Sequence, residues 1–226
     1  MFVSESMSTN LITIKSDTRI SEARELMRKH HIRHLPVTDK GDVLAGIVTD
    51  RDLRDAMPSS LLSGEEYQEA LNKIMGFTVG DIMTENPFTI SPFFTIQDAL
   101  ILIQEKRVGA FPVVDENGKL KGLLSIRDLL GAFTNVMGIG EPGTLLCILV
   151  KEKTGQMKKI VDAITEEKIS LGSVLVARTW DKDQRAVFPY LLTNNVIIIK
   201  EKLQNLGFTL IDPMKWYLDQ LPKKEE

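Results

Sequence analysis

The 226-residue chain carries 28 Lys and Arg against 31 Asp and Glu, a net charge of −3, and 43% of its residues are hydrophobic. That balance argues against a protein whose main business is neutralising phosphate backbones, and it provides for a sizeable core in one large or two to three small domains. A single cysteine, Cys147, excludes an internal disulfide and a Cys-pair metal site, and no apolar run approaches the ~20 residues of a membrane span.

In chain order, MFVSESMSTNL has neither a charged n-region nor a long apolar h-region, so no signal peptide is expected and the setting reads as cytoplasmic. LITI then reads as a strand, and 19–30 as a helix with Ile20, Ala23, Leu26 and Met27 at helical spacing. LPV and VLAGIV flank TDKGD, whose Asp and Gly suit a hairpin turn. In GIVTDRDL (46–53), Thr49 is a natural N-cap and Leu53 a first core residue of the next helix. PSSLLSGEEYQEALNKIMG starts as a Pro/Ser linker and becomes a short helix, with Ser63 as cap and Glu66 three residues on. The same order of elements then returns, with FPVV and LKGLL flanking DENGK.

The return is an internal repeat. A shift of 76 positions lays 7–53 over 83–129 without a gap, and 15 of the 47 positions are identical; unrelated chains of average composition would share about three. GIVTDRDL comes back as GLLSIRDL, with Ser125 for Thr49 and with Arg51 and Asp52 retained as Arg127 and Asp128. Helix capping alone does not require Arg-Asp to recur. A hydroxyl and a carboxylate three residues apart at a strand end suit a ribose phosphate. Asp accepts from two vicinal sugar hydroxyls, while the Ser or Thr hydroxyl and the free N–H groups of the helix start favour an anion beside the Arg.

The pattern MT-x-N-P-x-T-I, an Ala-rich helix, L-P-V-x-D and then G-I-V-T-x-x-D-L resembles tandem CBS domains, a Bateman module, over roughly residues 1–135. The resemblance implies CBS domains at 1–57 and 81–135, joined by a linker and helix at 58–80 and paired by a pseudo-two-fold. It implies an adenosine ligand (AMP, ADP, ATP or S-adenosylmethionine) whose ribose and phosphate are held by Thr49, Arg51, Asp52, Ser125, Arg127 and Asp128. The adenine slots carry over onto Asn10, Leu11, Ile12 with Ile32, Arg33, His34, and onto Asn86, Pro87, Phe88 with Val108, Gly109, Ala110. Each slot is expected to face the carboxylate of the other copy. Gly109 and Ala110 leave room for a base, whereas Arg33 and His34 are bulkier.

All three histidines lie in RKHHIRH, and His30, His31 and His34 lack a carboxylate or Cys at metal-ligand spacing. They read as a solvated basic helix end or as a phosphate-facing cluster; Lys106 and Arg107 occupy the matching positions near 106 and support the second reading. GIGEPG (138–143) fits G-x-G-x-x-G but follows a helix and precedes a strand, the reverse of a dinucleotide fingerprint, so 136–143 reads as a linker.

From there the period changes. TLLCILV is a strand, and 154–169 a helix with Met157, Ile160, Val161, Ile164 and Ile169 on one face. SVLVART and AVFPYLL are strands, NNVIIIKEKLQNLG a helix ended by Gly207, and FTLI a last strand. This βαββαβ order over 144–212 is the ferredoxin-like split βαβ, an α+β arrangement, and beside a CBS pair it resembles an ACT domain. The chain has Glu152-Lys153-Thr154-Gly155 where that family often has Asp-x-Pro-Gly, so Thr154 and Gly155 mark the implied ligand turn, with a packing or dimerisation domain as the other reading. CBS, CBS and ACT in series resembles the acetoin-utilisation regulator type, AcuB-like. The tail 213–226 reads as a short helix and a frayed end.

No Ser/His/Asp or Cys/His arrangement, paired metal-ligand motif or P-loop is found. The expectation is a regulatory nucleotide sensor rather than an enzyme, with a scaffold or an amino-acid sensor as alternatives, and no direct nucleic-acid or membrane partner. The apolar ALILI (99–103) and the habit of CBS pairs to form two-fold discs suggest a homodimer acting on a regulated protein.

Overall fold

In the computed structural model, which describes residues 1–59, 63–74, 76–181 and 183–212, the first of two units runs from Met1 to Gly131. Its elements are α1 (Val3–Ser6), α2 (Ile20–His30), β1 (His34–Thr38), β2 (Leu44–Thr49), α3 (Asp50–Asp55), α4 (Gly64–Ile74), β3 (Thr84–Glu85), α5 (Ile96–Lys106), β4 (Ala110–Val114), β5 (Leu120–Ser125) and α6 (Ile126–Val136), the last running on past its end. Both hairpins form as the turn chemistry requires. β1 pairs antiparallel with β2 and β4 with β5, each with an irregularity one residue before the turn.

The strands expected at LITI and FTI are reduced to single parallel bridges, Ile14 to Val37 and Ile90 to Val113. The reason is an exchange of segments. β3, which leads into the second copy, pairs with β2 of the first, and Ser8, which leads into the first, bridges Leu123 of the second. Each lead-in thus crosses from one hairpin to the other and divides its pairing between them. Gly46 permits the crossing, because a Cβ there would lie 2.9 Å from the Thr84 carbonyl oxygen. The Val43–Lys119 bridge joins two residues that are themselves repeat equivalents, so the pseudo-two-fold axis passes between them.

The two cores match position for position. Ile14, Ile20, Ala23, Met27, Leu35, Val37, Val48, Leu53 and Val79 form the first. Ile90, Ile96, Ala99, Ile103, Phe111, Val113, Leu124, Leu129 and Val3 form the second. Val3 and Val79 have changed places, each packing in the other copy's core through the same exchange.

The second unit, from Ala132 onward, contains β6 (Thr144–Leu145), β7 (Cys147–Lys151), α7 (Gln156–Glu166), β8 (Leu171–Asp181), β9 (Gln184–Leu191), α8 (Ile197–Asn205) and β10 (Thr209–Ile211). The sheet runs β10-β7-β9-β8, all antiparallel, with β6 on the far end of β9. That is the order of a split βαβ unit. TLLCILV, expected as one strand, is interrupted at Leu146. Its place on the ladder is opposite Pro189, which accepts from the Leu146 N–H at 3.1 Å but has no N–H to return. α7 starts two residues late, after Gly155 at φ 90°, and Met157 is exposed while Ile160 and Ile164 are buried. α8 buries Ile199 and Leu203 but leaves Ile197 and Ile198 in solvent. The tail helix expected at 213–226 lies outside the described residues.

Candidate functional site

The site begins where β2 runs into α3. Val48 and Leu53 are buried in the first core, which fixes the strand end and the first helical turn between them. Thr49 caps the helix. Its N–H and its hydroxyl both donate to Asp52 Oδ2 at 2.7 Å, and the Asp52 N–H donates back to Thr49 Oγ1 at 3.3 Å. At the β5–α6 junction Ser125 and Asp128 repeat this arrangement at 2.7, 2.6 and 3.3 Å. All four residues are half-buried, and Arg51 and Arg127 beside them are exposed.

Such a box is not in itself a binding site. Thr78 with Asp81 and Thr95 with Asp98 form the same kind of reciprocal cap, but their repeat equivalents are Phe2 with Glu5 and Arg19 with Glu22. Only the boxes at 49–52 and 125–128 keep hydroxyl, Arg and Asp in both copies. Capping occupies Oδ2, and an ionised carboxylate has about four lone-pair sites. At Asp128, Oδ1 receives Ser8 Oγ at 3.4 Å. Capping alone therefore leaves two sites on Oδ1 for vicinal hydroxyls, and at Asp128 Ser8 occupies one of them.

Of the residues expected to line the base slots, 33–34 and 109–110 meet these junctions. His34 is the register partner of Thr49, and Ala110 of Ser125. The Arg33 carbonyl accepts from the Asp50 N–H at 3.0 Å, and the Gly109 carbonyl from Ile126 at 3.1 Å. Residues 33–34 and 109–110 thus border the hydroxyl–Asp pair of their own copy. The contact across copies is made by Ser8, just ahead of Asn10, on Asp128. Leu11, Ile12, Ile32, Pro87 and Val108 are half-buried, and Asn10, Arg33 and Asn86 (φ 46°) are exposed. Phe88 is exposed, with Lys106 Nζ 4.9 Å above its ring centre.

The room beside Gly109 is not empty, since a Cβ there would meet His34 Nε2 at 3.1 Å. The first copy's imidazole fills the space. Burial holds its pKa below the usual histidine value, the Arg33 charge lowers it further, and Asp52 acts in the opposite sense. His30, His31, Lys106 and Arg107 are exposed at the ends of α2 and α5. His31 and Arg107, equivalents again, both terminate their helices at φ 53°.

Ser8 is the contact residue that sequence reasoning passed over. Its equivalent is Thr84, another hydroxyl, so the repeat alignment contained the signal. In the second unit, Thr154 and Gly155 lie in the exposed turn ahead of α7. A cavity of about 390 Å³ lies at the other end of that helix, lined by residues including Glu167, Ser170, Thr193 and Asn195. Among the described residues, no three His, Cys, Asp or Glu side chains are placed to hold a metal ion, and no helix is long and apolar enough to cross a membrane.

The CBS domain model matches residues 3–59 and 79–135, half of the chain and both copies of the repeat. The chain belongs to the CBS-domain family. It is 37% identical over 137 residues to a CBS domain-containing protein of Dictyostelium discoideum, spanning 61% of this chain and 94% of that protein. It is also 35% identical over 124 residues to the inosine-5'-monophosphate dehydrogenase of Aquifex aeolicus, but the shared segment is 23% of that enzyme. Among solved structures, CBSX2 of Arabidopsis thaliana in complex with AMP is 32% identical, with a TM-score of 0.50 over 58% of this chain and 95% of that one. A Vibrio cholerae protein assigned to acetoin utilization, AcuB, shares the fold at 24% identity and a TM-score of 0.52, over 63% of this chain and 98% of that one.

Proposed function

We propose that the CBS pair is the sensor of an adenosine nucleotide and that the chain regulates a partner rather than catalysing a reaction. One observation carries this reading: hydroxyl, Arg and Asp recur with the same hydrogen-bond geometry at two strand–helix junctions related by the pseudo-two-fold. The AMP complex of CBSX2 supports the ligand class. Each Asp accepts the ribose hydroxyls through Oδ1, with the Ser8 hydroxyl giving up its place at Asp128, while the Arg and the helix start face the phosphate. The second unit's sheet order supports an ACT-type relay or dimerisation role, through which a ligand-dependent free-energy difference reaches the regulated protein.

Titration calorimetry with AMP, ADP, ATP, S-adenosylmethionine and NADH tests this on the wild type, on Asp128→Ala and on the Asp52→Ala/Asp128→Ala double variant. Loss of a charge-assisted contact costs about 1.5–3 kcal/mol, so each substitution is expected to weaken binding on the order of 10- to 100-fold. A folded wild type that binds none of the panel, or a double variant that binds as the wild type does, overturns the reading and leaves a scaffold.

A further inference from the structure

The second unit ends its two helices in the same way but with different residues. At α8, Gly207 stands at φ 85° and the Phe208 N–H donates to the Leu203 carbonyl at 3.1 Å. At α7, Lys168 stands at φ 57° and the Ile169 N–H donates to the Ile164 carbonyl at 3.3 Å. Glycine is the residue this left-handed position favours, so a lysine there is held against the backbone's preference. A basic residue also suits a helix C-terminus, as His31 and Arg107 do at theirs. The residue type alone therefore marks nothing. Its surroundings do, because Lys168 lies on the wall of the cavity of about 390 Å³, at the end of α7 remote from Thr154 and Gly155.

One part of that wall is apolar. Ile169 and Leu192 are half-buried, Ile199 is fully buried, and Ile198 stands 60% exposed. The rest is polar and unevenly committed. Glu167 receives the Lys202 ammonium at 2.6 Å, and Lys202 also reaches Glu166 at 2.9 Å. The Thr193 hydroxyl accepts from the Asn195 N–H at 3.1 Å. Among the described residues, the Lys168 ammonium, the Ser170 hydroxyl and the Asn195 side-chain amide have no hydrogen-bond or ion-pair partner.

We propose that this cavity binds a small aliphatic carboxylate, whose charge Lys168 pairs and whose chain Ile169, Leu192 and Ile198 cover. The sign of the ligand follows from the commitments around it. Lys202 neutralises Glu167, so the charge left for a ligand is the positive one. An amine would face Lys168, and a polyphosphate would bring more charge than one lysine matches. Ser170 and Asn195 supply donors to the carboxylate oxygens, and the first turn of α8, which has no side-chain cap, adds N–H groups. The aliphatic part gives Ile198 the cover it lacks. The volume lies at the lower end of the roughly 300–1,000 Å³ of small-molecule sites. The site stands independently of the nucleotide reading.

Amide chemical-shift mapping on the full chain, with isovalerate as the probe, is expected to move residues 167–170 and 192–199 in a saturable way. Isoamyl alcohol and isoamylamine, which keep the chain and lose the carboxylate, are expected to leave them in place. Lys168→Gly removes the ammonium where glycine is the easier residue, so it is expected to melt no lower than the wild type. It is expected to bind isovalerate on the order of 10-fold more weakly. Ile198→Glu, at an exposed position, puts a carboxylate at the mouth and is expected to weaken isovalerate to a similar degree. A wild type indifferent to isovalerate, an equal response to the alcohol or the amine, or leucine bound more tightly than isovalerate overturns the proposal. So do shifts confined to residues 152–156, or either variant binding as the wild type does.

Discussion

Leu35 and Phe111 occupy the same place in the two copies and are almost entirely buried, yet the helices above them meet solvent in opposite ways. Nine core positions correspond one to one across the shift of 76, with only Met27 to Ile103, Leu35 to Phe111 and Val48 to Leu124 changed among apolar types. Outside, Asp17 and Thr18 give way to Phe93 and Phe94, and the Asp50–Arg54 pair to Ile126 and Leu130. The interior exchanges only one apolar residue for another, because a buried unpaired charge costs several kcal/mol. The surface is free to differ, and the difference is where one copy can acquire a task the other lacks.

The core half of that comparison breaks most visibly at Phe111. Phe111→Ala should cost about 3–5 kcal/mol in urea unfolding, and Leu35→Ala about 2–5. Phe111→Leu, which installs the first copy's residue, should cost under about 1.5 kcal/mol if the two cores are close to interchangeable in volume. A Leu as damaging as an Ala would mean that the larger Leu124 has shaped the second core around the ring.

A smaller effect is expected at the crossing of the lead-in segments. A Cβ on Gly46 would sit 2.9 Å from the Thr84 carbonyl oxygen and 2.7 Å from Met83 Sδ. At Gly122 it would overlap Met7 Sδ, the end of a flexible side chain, and lie 3.1 Å from the Ser8 carbonyl oxygen. Gly46→Ala should therefore destabilise the pair by about 1–3 kcal/mol and by more than Gly122→Ala, since backbone yields less than a thioether. Equal melting temperatures for the two variants would show that both crossings relax alike.

The legibility of the sequence follows the same division between local and distant causes. Thr49 and Ser125 as caps, the two hairpins and the order of elements after residue 144 follow from residues within a few positions of each other. The interruption at Leu146 depends on Pro189, and the segment exchange on distant pairings such as Ile47 with Thr84 and Ser8 with Leu123, so neither appears in a window along the chain. The exchange nevertheless left a mark in Val3 and Val79, identical at the repeat spacing. At the site, the hydroxyl–Arg–Asp signature was readable because it occurs twice. The occupation of Gly109's free space by His34 was not, because it joins two copies whose relative placement only folding determines.

His34 yields the smallest effect and the sharpest contrast, since its equivalent is Ala110 and the second copy has nothing to titrate there. Burial, then the Arg33 charge, lower the His34 pKa, against the pull of Asp52. An unfolded histidine titrates near about 6.5, so below that pH the unfolded chain binds a proton that the folded one resists. The stability due to a neutral His34 is therefore complete above that value and is lost as pH falls through it toward the folded pKa. Thermal melts at pH 7.5 and pH 5.5 should show a drop for the wild type that His34→Ala reduces, with the remaining acid response common to both proteins. An identical drop in the variant would place the proton elsewhere. A reduced drop would show that burial beside Arg33 makes the folded chain resist protonation of this imidazole.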